Sequence, residues 1–219
     1  MSNSSLVTYT NFTHKCSSRE GNSISRIIIH HMACVSTAKN CADNHKSCNR
    51  DVSATYYIGK DGDMAQGVDE KYRPWTSTNK NGDIRAVTIE VSNSVNGNPY
   101  GGDGWKVSDK SFASLVELCA DICKRNGIKE LTFTGNKDKD TLSCHKQWYS
   151  ATVCPGDYLY GKLPELCKKV NEILNPKTTS DKIYYVQIGA FSDKKNAEAY
   201  VDKAKKAGFN AVIKEETRK

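Results

Sequence analysis

Two side chains nine positions apart could do chemistry together: His145 and Cys154, within Cys144-His145-Lys146-Gln147-Trp148-Tyr149-Ser150-Ala151-Thr152-Val153-Cys154-Pro155-Gly156. An imidazole and a thiolate are both zinc ligands, and a Pro-Gly pair directly after the thiol predicts a rigid bend that holds it. Two ligands do not complete a site. A third is best sought at the end of Ser25-Arg26-Ile27-Ile28-Ile29-His30-His31, an apolar β-branched run that predicts a buried strand delivering His30 at its C-terminal end. His31 is expected to support or pack rather than ligate. A His, His, Cys set leaves one tetrahedral position for water, the feature that separates a catalytic zinc from a structural one, so the chemistry reads as hydrolytic. A base must then take the water proton. Glu90, the carboxylate of the otherwise apolar stretch Val87-Thr88-Ile89-Glu90-Val91, is the candidate; an ion pair with Arg85 or Lys60 is the plainer alternative for it.

In order along the chain, Ile27-Ile28-Ile29-His30-His31, Val87-Thr88-Ile89-Glu90-Val91 and His145 through Thr152-Val153-Cys154-Pro155-Gly156 resemble the zinc-dependent N-acetylmuramoyl-L-alanine amidases of the type-2 amidase and peptidoglycan-recognition superfamily. The resemblance runs over roughly residues 20 to 174 and is similar in particular to endolysins and autolysins of Gram-positive spore-formers and their phages. It implies Zn2+ held by His30, His145 and Cys154, Glu90 as base, and cleavage of the amide between the lactyl group of N-acetylmuramic acid and L-alanine of the stem peptide. It also places Thr152, two residues before the cysteine ligand, where the family holds a Lys or Thr that steadies the oxyanion; a neutral hydroxyl should help less than an ammonium. Trp75, with Arg73 and Asn79, is expected to line the glycopeptide cleft. Ala54 stands where some members place a tyrosine, so no tyrosine role carries over. The rival readings are a non-catalytic peptidoglycan-recognition module and a zinc peptidase cutting within the stem peptide.

At 219 residues the chain can hold one medium domain and a small appendage. With 37% hydrophobic and 26% charged residues it reads as soluble and globular, and no apolar run reaches the roughly 18 residues a membrane span requires. Met1-Ser2-Asn3-Ser4-Ser5-Leu6-Val7 lacks the basic start and apolar core of a secretory signal, so the expectation is a protein made in the cytoplasm that reaches the wall after holin-type release or lysis. Nine cysteines, an odd number, outline no disulfide framework and predict mostly reduced thiols. Cys34, Cys41 and Cys48 lack the tight ligand pairs of structural zinc sites. A formal charge of +7 would suit a polyanionic wall or nucleic acid, but no nucleic-acid module accompanies it, so bacterial peptidoglycan is the expected partner.

The elements that must position these residues read as α/β: a mixed central sheet flanked by helices, plus a small C-terminal βαβ module. Residues 1–24 predict a polar extension wrapping the domain, 36–50 a helix, and Asp61-Gly62 the turn of a hairpin. Residues 69–83 read as loop. Ser108 and Gly127 bracket a helix, and another runs from about Asp157 to Leu174 with a break or kink at Pro164. His14 and His45 are expected at the surface. Domain boundaries are set at 1–174 for the catalytic domain, 175–181 for a linker and 182–219 for the tail. The tail, with Tyr184-Tyr185-Val186-Gln187-Ile188-Gly189-Ala190-Phe191-Ser192, resembles the opening βαβ half of a SPOR domain, a peptidoglycan-binding family; pairing of two such halves into a homodimer is the expectation for its exposed sheet edge.

Overall fold

The two longest apolar runs become adjacent parallel strands at the centre of a six-stranded mixed sheet: β3 (Arg26–His31) and β7 (Ala86–Val91). The computed structural model describes residues 3–176 and 186–216. Beyond the central pair, β4 (Tyr56–Ile58) runs parallel to β7 and turns through Asp61-Gly62 into antiparallel β5 (Met64–Gln66). Short β1 (Tyr9–Thr10) lies parallel to β5, and β8 (Leu142–Cys144) lies parallel to β3 at the opposite edge. The strand order is β1-β5-β4-β7-β3-β8. Both faces are covered, as nearly continuous apolar strands require.

Strand alternation divides the sheet into two unlike faces. On one, Ile27, Ile29, Tyr56, Ile58, Val87, Ile89 and Val91 join the main core with α3 (Asp109–Asn126) and α5 (Gly156–Leu174). On the other, Tyr57 packs beneath α1 (Ala38–Ser47) with Cys41 and Ala42. In the register that pairs His30 with Glu90 and Glu90 with Tyr57, those three side chains share this second face. The helix α3 starts where Ser108 accepts a hydrogen bond from the Ser111 N–H, and it ends at Gly127 in the left-handed conformation.

Several expectations change on contact with the structure. The stretch 69–83, read as loop, contains β6 (Tyr72–Pro74), paired antiparallel with β2 (Cys16–Ser18), and the one-turn helix α2 (Lys80–Asp83). Elements of two to four residues carry no readable period, so long-range pairing and not local pattern creates them. The polar N-terminal segment is tied in by those two strands and by buried Arg19, whose guanidinium donates to the carbonyls of Glu70, Ile84 and Ala86. Pro164 does not break α5, which runs on to Leu174. Proline removes one backbone donor, while Leu159, Leu163, Leu166, Cys167 and Val170 bury a continuous stripe that keeps the helix in place.

The chain divides into two compact units, residues 1–177 and 178–219. In the second, α6 (Lys194–Lys206) is capped by Asp193, whose side chain accepts from the N–H groups of Lys195 and Asn196. The expected strands flanking it do not appear among the described residues: 186–191 and 208–214 carry no strand there, and residues 182–185 of the first lie outside the described set. No described residue of this unit is buried, and Phe191 meets Tyr200 of α6 with ring centroids 5.3 Å apart.

Candidate metal centre

One rung of the sheet assembles the site. β3 and β8 pair up to Ile29 opposite Cys144, and the next residues are His30 and His145, whose rings lie 4.5 Å apart. His145 opens α4 (His145–Trp148), so the chain turns as soon as the imidazole has been delivered. Cys154 returns to the same point because its carbonyl accepts from the Lys146 N–H at 3.0 Å. Gly156, at φ 79°, makes the bend that follows, and a Cβ there would come within 3.1 Å of the Gly104 carbonyl oxygen. Ligand atoms of His30, His145 and Cys154 all lie within 4.8 Å of one another. Two imidazoles and a thiol at that separation form a donor set suited to zinc.

The electrostatics of this cluster suit a cation. Burial drives the His30 pKa well below its usual value, with the charges of His145 and His45 adding to the effect. Burial also lowers His145 to about 4, against the opposing effect of the Ser77 backbone. Both rings are therefore neutral at pH 7 and keep a lone pair. Burial, with the Glu90 charge, raises the Cys154 thiol well above its usual value. The His31 N–H donates to its sulfur at 3.2 Å. Among the described residues Glu90 Oε2 is buried with no hydrogen-bond partner, and an orphaned carboxylate oxygen at such a spot fits a site that holds an ion and its water.

Glu90 sits beside His30 on β7, with Tyr57 on its other side. Burial raises its pKa to about 7, opposed by Arg50. Neither Arg85 nor Lys60 forms an ion pair with it among the described residues; Arg85 donates to Asn22, and Lys60 pairs with Asp61. Half-buried Thr152 accepts from the Cys154 N–H at 3.2 Å, an arrangement that leaves its own O–H as a donor. Arg73 and Trp75 are partly exposed and both donate to Ser17 Oγ, at 2.8 and 3.4 Å.

Asn79 has a local role. Its side-chain oxygen caps α2 by accepting from Gly82 N–H, and its amide donates to the Trp148 carbonyl at 3.1 Å. The carboxamide is engaged inside the protein at both ends. Trp148 also lies against Gly82, where a Cβ would come within 2.8 Å of the indole. The α4 turn that carries His145 is thus locked onto α2.

His31 is a support, as its neighbourhood shows: Nε2 bonds the Trp105 carbonyl at 2.7 Å, Nδ1 accepts from Ala33 N–H, and the ring lies tilted by 35° against the Trp105 ring at 5.1 Å between centroids. Ala33 and Trp105 are both in the left-handed region, at φ 56° and 53°. Such backbone is uncommon for bulky residues and concentrates at functional sites.

The sequence reading missed two groups. His45, expected at the surface, is buried, with Nδ1 3.0 Å from Tyr57 Oη and its pKa lowered to about 4 by burial; His14 is exposed. The available signal was position, since His45 follows Cys41 by four and so shares its inward helix face. Ser77 and Asp83 are the second group: Ser77 Oγ is 3.2 Å from His30 Nε2, and the Asp83 carboxylate accepts from the Thr76 and Ser77 N–H groups. Nothing in Trp75-Thr76-Ser77-Thr78-Asn79 distinguishes that serine from its polar neighbours.

Among solved structures, a mutant endolysin from Bacillus subtilis matches at 17% identity and a TM-score of 0.55, covering 78% of this chain and 99% of that one. The N-acetylmuramoyl-L-alanine amidase LysC from Clostridium intestinale matches at 21% identity and a TM-score of 0.51, over 72% of this chain and 94% of its own. The selenomethionyl AmpD derivative matches at 14% identity and a TM-score of 0.57, over 75% and 96%. At these identities the likeness is one of fold: a mixed sheet flanked by helices. No curated protein sequence matches the chain. Residues 180–219 match the SPOR domain model. Residues 20–157, more than half the chain, match the model described as N-acetylmuramoyl-L-alanine amidase, and the chain belongs to that family of peptidoglycan amidases.

Proposed function

We propose that the chain is a zinc-dependent peptidoglycan amidase of the endolysin or autolysin type, cleaving between N-acetylmuramic acid and L-alanine. The observation that carries this is the convergence of His30, His145 and Cys154, from three separate segments, on one point beside a buried, unpartnered carboxylate. Zn2+ held by those three residues would supply a Lewis acid that polarises the scissile carbonyl and acidifies a water.

The chain's own residues do the rest. Glu90 Oε2 takes the proton of the attacking water and returns it to the departing alanine nitrogen, a task suited to a carboxyl whose pKa is near neutrality. Thr152 Oγ1 donates to the oxygen that gains charge, while its lone pair keeps hold of the Cys154 N–H. The His31 N–H steadies the thiolate sulfur. Arg73 and Trp75 contact the glycopeptide at the rim, and Asn79 acts there through α2. The 178–219 unit serves as a wall-adhesion tail, which pairs with a second copy, and the enzyme meets its substrate after release from the cell.

Mass spectrometry of digested cell wall tests the bond. New amino-terminal L-alanine on the stem peptides is the expected product. Free reducing-end sugars, or cuts between amino acids, would exclude an amidase.

A further inference from the structure

The metal reading leaves unexplained why a fully buried serine, fixed from two sides, sits against one of the imidazoles. Ser77 is 0% exposed, and its Oγ lies 3.2 Å from His30 Nε2. Its own N–H is held by both oxygens of buried Asp83, at 3.2 and 3.0 Å, and the Thr76 N–H by one of them at 3.0 Å. Thr76 Oγ1 in turn bonds the Ser53 carbonyl at 2.6 Å and Thr88 Oγ1 at 2.8 Å, which pins the segment to the sheet. The next residue, Thr78, is a β-branched side chain at φ 54°. Backbone of that kind persists only where its surroundings over-determine it.

A neutral imidazole has one N–H and one lone pair, and whatever bonds one nitrogen decides the state of the other. If the serine hydroxyl donated to Nε2, Nδ1 would carry the proton and face a cation with no lone pair. If Nε2 donates to the serine oxygen, Nδ1 is the nitrogen left for a metal.

We propose that Ser77 is a positioning residue for the metal centre: its Oγ accepts a hydrogen bond from the His30 Nε2–H, selecting the tautomer that ligates through Nδ1, and Asp83 fixes Ser77 for that task. The assignment rests on the zinc reading above. It also gives α2 a purpose, since that turn carries Asp83 and is braced by Asn79 and by Trp148 packed on Gly82.

The test is Ser77→Ala in the full chain, with Zn2+ affinity measured by chelator competition and the unfolding midpoint measured on metal-free protein. The expected result is zinc affinity weaker by about 10- to 100-fold with the metal-free midpoint unchanged. Unchanged affinity, or affinity lost together with metal-free stability, overturns the proposal. Heteronuclear NMR of the histidine ring nitrogens in zinc-loaded wild type does not depend on the variant folding. A protonated Nε2 on His30 is expected there, and metal on His30 Nε2 overturns the assignment. A wild-type chain that binds no zinc removes the metal reading itself, whereas either contrary result in a zinc-binding wild type removes only the role of Ser77.

Discussion

The two faces of the central sheet are built from the same strands and differ in one parity of residue. Odd-numbered positions on β3 and β7, Ile27, Ile29, Val87, Ile89 and Val91, meet α3 and α5 in an aliphatic core. Even-numbered neighbours, Thr88, His30 and Glu90, are nearly as buried but lie on the face that α1 covers, among polar and titratable groups. Burial therefore does two different jobs in one sheet. On the first face it supplies stability through apolar area and close packing. On the second it perturbs titratable groups, pushing the imidazoles down and Glu90 up.

Substitutions on the two faces should thus separate function from stability. The largest effect is expected from Glu90→Gln: zinc retained, turnover lower by about 10²- to 10⁴-fold, the usual contribution of a general acid-base group. Wild-type turnover in that variant would show that another group is the base. Ile29→Ala, one position away on the other face, should do the converse. Its cavity costs about 2–5 kcal/mol in denaturant unfolding, while zinc affinity per folded molecule stays the same. Gly82→Ala tests the brace between the faces' loops, forcing a Cβ against the Trp148 ring; a loss of about 1–3 kcal/mol is expected from overpacking, readable as a lowered unfolding midpoint.

A fourth effect is in pH. In metal-free protein the pKa of Glu90 is raised from 4.5 to about 7, so between those values the native state holds a proton that the unfolded chain has released. Its stabilising contribution is full below about pH 4.5 and is lost as pH rises through about 7. The buried histidines, with lowered values, act in the opposite direction, their contribution falling as pH drops below 6.5. The difference between wild type and Glu90→Gln isolates the carboxyl. In chelator, that difference should shift against wild type between pH 5 and pH 8, and a flat difference would mean that Glu90 titrates normally.

What was legible in the chain follows the same division. Strands β3 and β7, with their apolar runs, and helix α3, with Ser108 and Gly127 at its ends, were readable because local chemistry determines them. The convergence of His30, His145 and Cys154 was readable only through ordered motifs, since no spacing announces that residues over a hundred positions apart will share one rung. Ser77, Asp83 and the role of Asn79 were not readable. They depend on α2 and on the β2–β6 pairing, elements too short to show a period and formed only by contact with the rest of the fold. The tail shows the limit from the other side: its strand-like pattern and family match are clear, yet no strand pairs among its described residues.

Zinc content is the direct test of the centre on which this account rests. Metal analysis of the purified full chain and of Cys154→Ser, with Co2+ substitution to reveal the thiolate-to-metal absorption band, should give one ion per wild-type chain and neither ion nor band in the variant. A wild-type chain without stoichiometric metal, or a variant that keeps both ion and band, would contradict it.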